Sequence, residues 1–353
     1  MKATIALLPG DGVGQEVIDA AARVLDAIAA RFQHTFTLTR WPIGAVALRA
    51  GSPPLPQPTL DACLAADAVL LGAVGDPAFD QGPHERRPET ALLELRQALG
   101  VFANLRPARV WPGLAGDGSL KPDLITGLDL LIVRELIGGI YYGQPRGRSA
   151  DDQIAFNTMR YSRPEIERIA KVAFESARSR RKLVTSVDKA NVLETSRLWR
   201  DVVTEVGTHY PDVKLEHQLV DSCAFLLVSN PRKFDVILAG NLFGDILSDE
   251  AGAVVGSLGL LPSASVGGKG GLFEPVHGSA PDIAGRNQAN PVAAIASAAM
   301  LLRHALDAEH EASAIEAAIG AALESGCRTA DMASTGQDSC SCSGMTDAII
   351  ERI

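Results

Sequence analysis

The sequence contains few of the features that would place the protein in a membrane or on nucleic acid. No apolar run reaches the length needed to cross a bilayer. The opening MKATIALLPGDG has a short apolar run broken by Pro9 and Gly10, which favours a first β-strand over a signal peptide. Acidic residues outnumber basic ones by 42 to 33, and the net charge of −9 argues against binding of nucleic acid through its phosphates. We therefore expect a cytoplasmic protein with no membrane and no nucleic-acid partner.

Cysteine is also scarce, and its spacing fits neither a disulfide framework nor a zinc site. The chain of 353 residues has only five cysteines, an odd number with no CxxC pair: Cys63, Cys223, Cys327, Cys340 and Cys342. A long chain with so few cysteines is typical of a reduced compartment. We expect Cys340-Ser-Cys342, in a serine-rich tail, to be a surface segment.

The usual nucleotide-binding motifs are missing as well. The stretch PGDGVGQEV (9–17) follows a strand-like run and opens a helix, but Gln15 breaks the G-x-G-x-x-G pattern. No G-x-x-x-x-G-K-[ST] motif is present. These absences exclude a standard dinucleotide fold and weaken the alternative of a metal-dependent phosphohydrolase.

Strand-like and helix-like runs alternate along most of the chain. The strand-like runs are 4–8, 68–74, 128–133, 182–187, 213–220 and 235–239. The helix-like runs are 14–31, 164–181, 194–208, 241–255, 291–307 and 311–324. This alternation predicts an α/β protein with a mostly parallel central sheet and helices on both faces. The length favours two domains.

Two stretches interrupt the alternation. Residues 138–160 have strand-like ends around a Gly/Pro/Arg turn and predict a hairpin or arm that projects from the body. Residues 257–290 are rich in Gly, Pro, Ser and Asn and are too long for a plain connection. A long loop in a compact domain is usually functional, so we expect a binding role there.

Carboxylates follow two of the predicted strands, at the ends where open α/β sheets bind ligands. Asp221 follows one run, and Asp245 and Asp249 lie on one face of the helix that follows another. Three carboxylates suit Mg²⁺ or Mn²⁺. The alternative, an acidic helix start favoured by the helix dipole, explains Asp245 but not Asp249.

Cationic and acid–base side chains are expected near the same sheet edge. Arg96, Arg106 and Arg134 would suit a small polycarboxylate, although each alone could be a surface or ion-pair residue. Lys189 and Tyr141 are candidate acid–base groups, with a structural role as the alternative for each.

The stretch HGSAPDIAG (277–285) combines small residues with a carboxylate. The small residues allow close approach of a ligand to the backbone. Asp282 could accept hydrogen bonds from both ribose hydroxyls of an adenosine and would repel a 2′-phosphate.

Long motifs along nearly the whole chain resemble those of the β-decarboxylating dehydrogenases, the isocitrate/isopropylmalate dehydrogenase family. They are LLPGDGVGQEV, RPETALLELR, FANLRPARV, VRELIGGIYYGQPRG, SVDKANVLETSRLWR, NLFGDILSDEAG, GSLGLLPSAS and EPVHGSAPDIAGRNQANP. The resemblance implies that family's two-domain fold in place of the standard Rossmann fold. It implies a large, cofactor-binding domain that is formed by residues 1–100 and 256–353. Residues 101–255 would form a smaller domain, which contains the dimer interface and the arm 138–160.

The resemblance also implies an activity: NAD-dependent, metal-assisted oxidative decarboxylation of 3-isopropylmalate to 2-oxo-4-methylpentanoate in leucine biosynthesis. Tyr141 would be the general acid and Lys189 the base or proton relay. Mg²⁺ or Mn²⁺ would be held by Asp221, Asp245 and Asp249. A homodimer with shared active sites is implied, in which Lys189 and Asp221 enter the partner's site.

The implied ligand-binding residues fall into two groups. The malate-type dicarboxylate would contact Leu92, Leu93, Arg96, Arg106, Arg134, Asn191, Val192 and Asp221. NAD, favoured over NADP by Asp282, would contact Glu274, His277, Gly278, Ser279, Ala280, Asp282, Ile283 and Asn290.

The 3-substituent of the malate is expected to meet an apolar wall. Leu92 and Leu93, completed by Val192, suit an isopropyl group and disfavour the extra carboxylate of isocitrate or homoisocitrate. Departures from the family pattern at residues 222–225 leave open a paralogue acting on another 3-substituted malate, D-malate or tartrate. A catalytically silent protein that binds nucleotide or a regulatory partner is the alternative from another class.

Overall fold

The computed structural model of the chain describes residues 1–81, 83, 86–111, 113–114, 120–333, 336 and 338–353. The strands in this part are β1 Lys2–Gly10, β2 Thr35–Arg40, β3 Ala68–Ala73, β4 Ala103–Arg109, β5 Asp129–Glu135, β6 Gly147–Arg148, β7 Ala155–Phe156, β8 Leu183–Asp188, β9 Lys214–Leu219, β10 Val236–Ala239, β11 Pro262–Val266 and β12 Leu272–Pro275.

The helices in the described part of the chain include the six that were predicted from the sequence. They are α1 Gly14–Phe32, α2 Ala45–Arg49, α3 Gln57–Ala65, α4 Pro88–Leu99, α5 Pro122–Ile125, α6 Arg163–Arg178, α7 Glu194–Gly207, α8 Val220–Ser229, α9 Asn241–Val255, α10 Val292–Ala305, α11 Glu309–Glu324 and α12 Cys342–Ile350.

Ten of these strands form one twisted sheet in the order β2-β1-β3-β12-β11-β4-β5-β10-β8-β9. Strands pair in parallel at both ends of the sheet, and β11 is antiparallel to β12 and to β4, which is antiparallel to β5. The predicted α/β class and mostly parallel sheet are confirmed.

The interval 257–290 differs from the long loop expected from the sequence. It contains β11 and β12, which occupy the middle of the sheet. Both strands are short and are separated by the glycine-rich residues 267–271, so neither gave an apolar run long enough to recognise as a strand. A loop follows β12, and it carries the predicted cofactor residues.

The strands are buried because helices cover both faces of the sheet. Every residue of β3 and β10 is buried, as expected for parallel strands sandwiched between helices. Helix α10 is buried along most of its length and packs against β11 and β12. Helix α9, which begins directly after β10, packs against β4 and β5.

The arm region contains a small sheet of its own. Strands β6 and β7 pair with each other in antiparallel fashion. Ile154 and Phe156, beside and within β7, have exposed fractions of 64% and 45%. The predicted hairpin is therefore present, with apolar side chains facing outward.

The C-terminal tail corrects one expectation. Cys342 is buried with only 4% exposure at the start of α12, so Cys340-Ser-Cys342 is not wholly a surface segment. Among the described residues, no helix combines the length and apolar character that crossing a bilayer requires. The two domain ranges and the cytoplasmic location stay predictions.

Candidate active site

The polar residues after the predicted strands do lie along one edge of the sheet. Strands β5, β10, β8 and β9 are adjacent and parallel, so their carboxyl ends point the same way. Neighbouring strands are spaced by about 4.8 Å, however, so β5 and β9 are about 14 Å apart. Within one chain, the side chains at the two ends of this row form two separate clusters.

The first cluster lines a cavity of about 620 Å³, a size typical of small-molecule sites. Seven residues predicted from the sequence line it: Leu92, Leu93, Arg96, Arg106, Arg134, Tyr141 and Asp245. Five lining residues were not predicted: Glu89, Ile140, Arg146, Asn157 and Leu242. Glu89 lies in the same helix turn as the predicted leucines, and this spacing could have identified it.

Three arginines from different elements converge on the cavity. Arg96 projects from α4, Arg106 from β4 and Arg134 from β5, and each is at most 6% exposed. Arg106 and Arg134 lie close enough that their mutual repulsion, added to burial, lowers the pKa of Arg134 to about 9. Such a concentration of buried positive charge requires anionic partners.

Asp245 is the main anionic partner of these arginines. It accepts hydrogen bonds from Arg134 and, at 3.3 Å, from Arg106. Burial alone would raise the pKa of Asp245, but the two guanidinium groups outweigh it and lower the pKa below its usual range. Asp245 is therefore ionised at neutral pH, with part of its carboxylate facing the cavity.

Asp249 lies one turn further along α9 and is held more loosely. The nearest contact is Arg106, whose Nη1 is 3.8 Å from Asp249 Oδ1, and the Asp249 side chain is 60% exposed. Burial and repulsion from Asp245 raise the pKa of Asp249 despite the attraction of Arg106. This repulsion between the paired aspartates is the effect that a bound cation would relieve.

Tyr141 completes the polar face of the cavity. Its hydroxyl donates to Asp245 Oδ2 at 2.8 Å. Partial burial and the neighbouring carboxylate raise the pKa of Tyr141 to about 12, so it stays protonated at neutral pH. The backbone carbonyl of Tyr141 accepts a hydrogen bond of 2.9 Å from Arg146, which ties the start of the arm to the site.

Asn241 supports this arrangement from the first position of α9. Its side-chain oxygen accepts from Arg134 at 2.7 Å, and its Nδ2 donates to Leu136 O and Gly138 O. The amide thus joins Arg134 to the turn that leads to Tyr141. Asn241 was not predicted as a site residue, because an asparagine at the start of a helix is usually explained by helix capping.

Gly244 allows α9 to approach Arg134 closely. A Cβ atom at this position would lie 2.8 Å from both Cβ and Cγ of Arg134, atoms too near the backbone to move aside. We expect Gly244→Ala to displace α9, lower kcat/KM by about 10- to 100-fold and reduce stability by about 1–3 kcal/mol. Gly320→Ala, where an added Cβ meets no atom within 4 Å, is the matched control. It should leave kcat/KM unchanged and raise stability by at most about 1 kcal/mol, because alanine favours a helix more than glycine does. Steady-state kinetics and thermal unfolding of the two variants measure these effects.

The second cluster contains the remaining predicted catalytic and metal-binding residues. Lys189 follows β8 and forms an ion pair of 2.5 Å with Asp221, which lies in the first turn of α8. Asn191 and Val192 are exposed nearby on the same loop. None of these four residues lines the first cavity.

The three predicted metal ligands are correspondingly not gathered within one chain. No group of three or more acidic, histidine or cysteine side chains in the described residues could hold a metal ion. Asp245 and Asp249 supply two carboxylates on one helix face, and Asp221 lies in the other cluster. A metal site with three carboxylate ligands would therefore need its third carboxylate from outside this chain.

The departures at residues 222–225 fall on α8. Cys223 is fully buried in the core between α8 and α9, whereas Phe225 points outward with 71% exposure. Neither residue contacts Asp245 or the cavity-lining arginines among the described contacts.

The predicted cofactor residues lie on β12 and the loop after it. Glu274 forms a buried ion pair of 2.8 Å with Arg96 and so links this loop to the first cavity. His277 Nδ1 donates to the backbone carbonyl of its neighbour Gly278 at 2.9 Å, while its Nε2 is buried with no hydrogen-bond partner in the described part of the chain. Burial lowers the pKa of His277, so the imidazole is neutral and has an unused polar atom.

The rest of this loop presents small or polar groups. An added Cβ at Gly278 would meet no atom within 4 Å, which leaves open space above the backbone. Ser279 O accepts from Val13 N at 2.8 Å and anchors the loop against the turn after β1. Asp282 is exposed, and Asn290 is buried at the base of the loop.

Comparison with known proteins gives consistent matches over the whole chain. The family model described as "Isocitrate/isopropylmalate dehydrogenase" matches residues 4–349. A protein of Halalkalibacterium halodurans named 3-isopropylmalate dehydrogenase is 54% identical over 356 aligned residues, covering 100% of this chain and 98% of its own. One of Wolinella succinogenes with the same name is 55% identical and covers 95% of this chain and 93% of its own. The crystal structure of isocitrate dehydrogenase from Methylococcus capsulatus superposes with a TM-score of 0.89, 36% identity and 99% coverage of both chains.

Proposed function

The chain belongs to the isocitrate/isopropylmalate dehydrogenase family and is an oxidative decarboxylating dehydrogenase; on that premise we propose that its substrate is 3-isopropylmalate, converted to 2-oxo-4-methylpentanoate in leucine biosynthesis. The observation that carries this proposal is the cavity at β4 and β5, where three buried arginines face an apolar wall. Arginines bind carboxylates in bidentate geometry, and the wall fits an alkyl substituent.

The chain's own residues divide the work of binding and proton transfer. Arg96, Arg106 and Arg134 hold the carboxylates of the malate and orient its hydroxyl carbon. The buried Nε of Arg96 has no hydrogen-bond partner in the described residues, so it is available to a ligand oxygen. Lys189 takes up the proton of the substrate hydroxyl. Tyr141, protonated at neutral pH, returns a proton to carbon after CO₂ has left.

Two further groups complete the chemistry. When bound, NAD supplies the hydride acceptor and Mg²⁺ or Mn²⁺ supplies Lewis acidity toward the substrate oxygens. The donors fit such a cation, since Asp245 and Asp249 are hard oxygen ligands on one helix face and Asp221 would supply a third. The unpartnered Nε2 of His277 and the open space at Gly278 fit a dinucleotide at the loop after β12.

A homodimer would unite the two clusters. Phe225, Ile246 and Val228 on α8 and α9 are 71%, 57% and 42% exposed, and they form an apolar surface next to Asp221. Contiguous apolar surface of this kind marks protein interfaces. We propose that two copies pair through it, so that Lys189, Asn191, Val192 and Asp221 complete the cavity of the partner subunit.

The substrate assignment is tested with a panel of malates, NAD and Mn²⁺. We expect kcat/KM for 3-isopropylmalate to exceed those for D-malate, tartrate and isocitrate by at least about 100-fold. Leu92→Ser should lower kcat/KM for 3-isopropylmalate by about 10- to 100-fold, because it puts a hydroxyl in the apolar wall. Leu64→Ser, at an exposed leucine of α3, is the matched control. Faster turnover of another 3-substituted malate would make that compound the assigned substrate. If no malate is turned over, the proposed activity is wrong.

NAD specificity is expected to depend on Asp282. The carboxylate is exposed on the cofactor loop, where it can accept from ribose hydroxyls and repel a 2′-phosphate. Asp282→Ala should raise KM for NAD by about 10-fold and improve kcat/KM with NADP, because the repulsion is removed. Asp26→Ala, at an exposed aspartate of α1, should change neither constant. An unchanged NAD to NADP preference in Asp282→Ala would place the ribose elsewhere.

A further inference from the structure

Two cysteine thiols meet in the C-terminal part of the molecule, away from the cavity. Cys327 follows α11, Cys340 precedes α12, and their Sγ atoms are 2.8 Å apart. This separation is less than 1 Å longer than a disulfide bond of about 2.05 Å. Both residues are partly exposed, so a small reagent can reach them.

The backbone around the two cysteines is held in place on both sides. Cys340 N–H donates to Arg328 O at 2.7 Å, next to Cys327. Arg328 in turn donates to Leu323 O at the end of α11 and to Gly113 O. The fold therefore holds the two sulfurs less than 1 Å from bonding distance.

We propose that Cys327 and Cys340 are a reversible dithiol–disulfide site that reacts with low-molecular-weight disulfides. Cys327 Sγ attacks one sulfur of a disulfide RSSR, loses its proton, and releases the first RSH. Cys340 Sγ then attacks Cys327 Sγ, forms the protein disulfide and releases the second RSH with the Cys340 proton. The protein loses two hydrogens, and RSSR is reduced to two thiols.

The surroundings of the other cysteines make this site selective. Cys63, Cys223 and Cys342 are at most 4% exposed, and burial raises the pKa of each thiol to about 12. Burial and the contact with Cys327 also raise the pKa of Cys340 to about 12. Reaction at Cys327 places a sulfur electrophile directly beside Cys340.

The disulfide would fasten the segment that supports the loop after β12. Asp331, between the two cysteines, accepts from Asn290 Nδ2 at 3.0 Å. Beyond Cys340, the N–H groups of Cys342 and Ser343 donate to the backbone and side-chain oxygens of Asn287 at 2.9 Å. Closing the loop from 327 to 340 restricts both supports at once, and this expectation does not depend on the proposed function.

The test compares the full-length protein in oxidised glutathione and in dithiothreitol, without substrate or cofactor. We expect reactive thiols in the denatured protein to fall from five to three, and peptide mapping to identify the 327–340 disulfide. Amide hydrogen exchange in residues 287–292 and 341–346 should slow, and the melting temperature should rise by several degrees. Dithiothreitol should reverse all three changes.

Two single variants and one control distinguish disulfide formation at this pair from oxidation of other cysteines. Cys327→Ser and Cys340→Ser should each abolish the protein disulfide and its effect on exchange, whereas Cys63→Ser should retain both. A disulfide that involves Cys342, or a stable mixed disulfide with glutathione at Cys327 in the unmodified protein, would overturn the assignment of the pair. A 327–340 disulfide that leaves exchange at 287–292 unchanged would overturn the link to the loop. Because none of these measurements uses activity, they stand even if the proposed substrate is wrong.

Discussion

Heterodimers that combine a Tyr141→Phe chain with a Lys189→Ala chain are expected to retain about half of the wild-type activity, although each variant homodimer is inactive. In a shared site, Tyr141 comes from one subunit and Lys189 from the other. One of the two sites in the heterodimer then has both variants, and the other has neither. The reason is structural, since Lys189 and Asp221 form a cluster that does not line the cavity containing Tyr141.

The measurement requires co-expression of two differently tagged chains and tandem purification of the mixed species. The matched control pairs Tyr141→Phe with Asp245→Asn, two residues that line the same cavity. That heterodimer should be inactive, because each of its sites has one defect. If the first heterodimer is also inactive while its subunits associate normally, each site is built from a single chain.

Asp245→Asn is expected to lower kcat by about 100- to 1000-fold, the largest loss for any single carboxylate of the site. The carboxylate balances Arg134 and Arg106, accepts the Tyr141 hydroxyl and supplies a predicted metal ligand. The amide has no charge to fulfil the first and third roles. Asp249→Asn should have a smaller effect on kcat, since its side chain is 60% exposed and its nearest contact with Arg106 is 3.8 Å.

Binding of Mn²⁺, followed by calorimetry or electron paramagnetic resonance, separates metal loss from misfolding. Both variants should bind Mn²⁺ more weakly and remain folded. Asp249→Asn should keep the unfolding profile of the unmodified protein, whereas Asp245→Asn should unfold at a lower temperature because Arg134 and Arg106 lose their counter-charge. Asp201→Asn, at an exposed aspartate of α7, controls for the loss of one negative charge. Full metal-dependent activity in Asp245→Asn would contradict the role given to this helix.

Much of the fold could be predicted because the buried strands are strongly apolar. Each of the predicted strand-like runs at β1, β3, β5, β8 and β10 overlaps a strand of the structure. Strand β4, ANLRPAR, was missed because it has no continuous apolar run and contains Pro107, and proline is uncommon inside strands. Arg106, which lines the cavity, is one of the residues that interrupt the apolar run.

The individual residues of the site could be predicted from the sequence, but the contacts between them could not. The spacing of Asp245 and Asp249 placed them on one helix face without any structural knowledge. The ion pair of Arg96 with Glu274 joins residues 178 positions apart and depends on the order of strands in the sheet. Likewise, the separation of Asp221 from Asp245 follows from the number of intervening strands, which local pattern does not encode.

The position of β11 and β12 in the sheet has a consequence for the order of folding. These strands, at residues 262–275, lie between β3 at 68–73 and β4 at 103–109. During synthesis, the N-terminal strands leave the ribosome long before the two strands that join them to the rest of the sheet. Until then, β3 and β4 each have one edge whose backbone N–H and C=O groups are unpaired. Such edges can pair with strands of other chains. The nascent chain therefore has its greatest need of chaperone protection over the interval in which residues 110–275 are made.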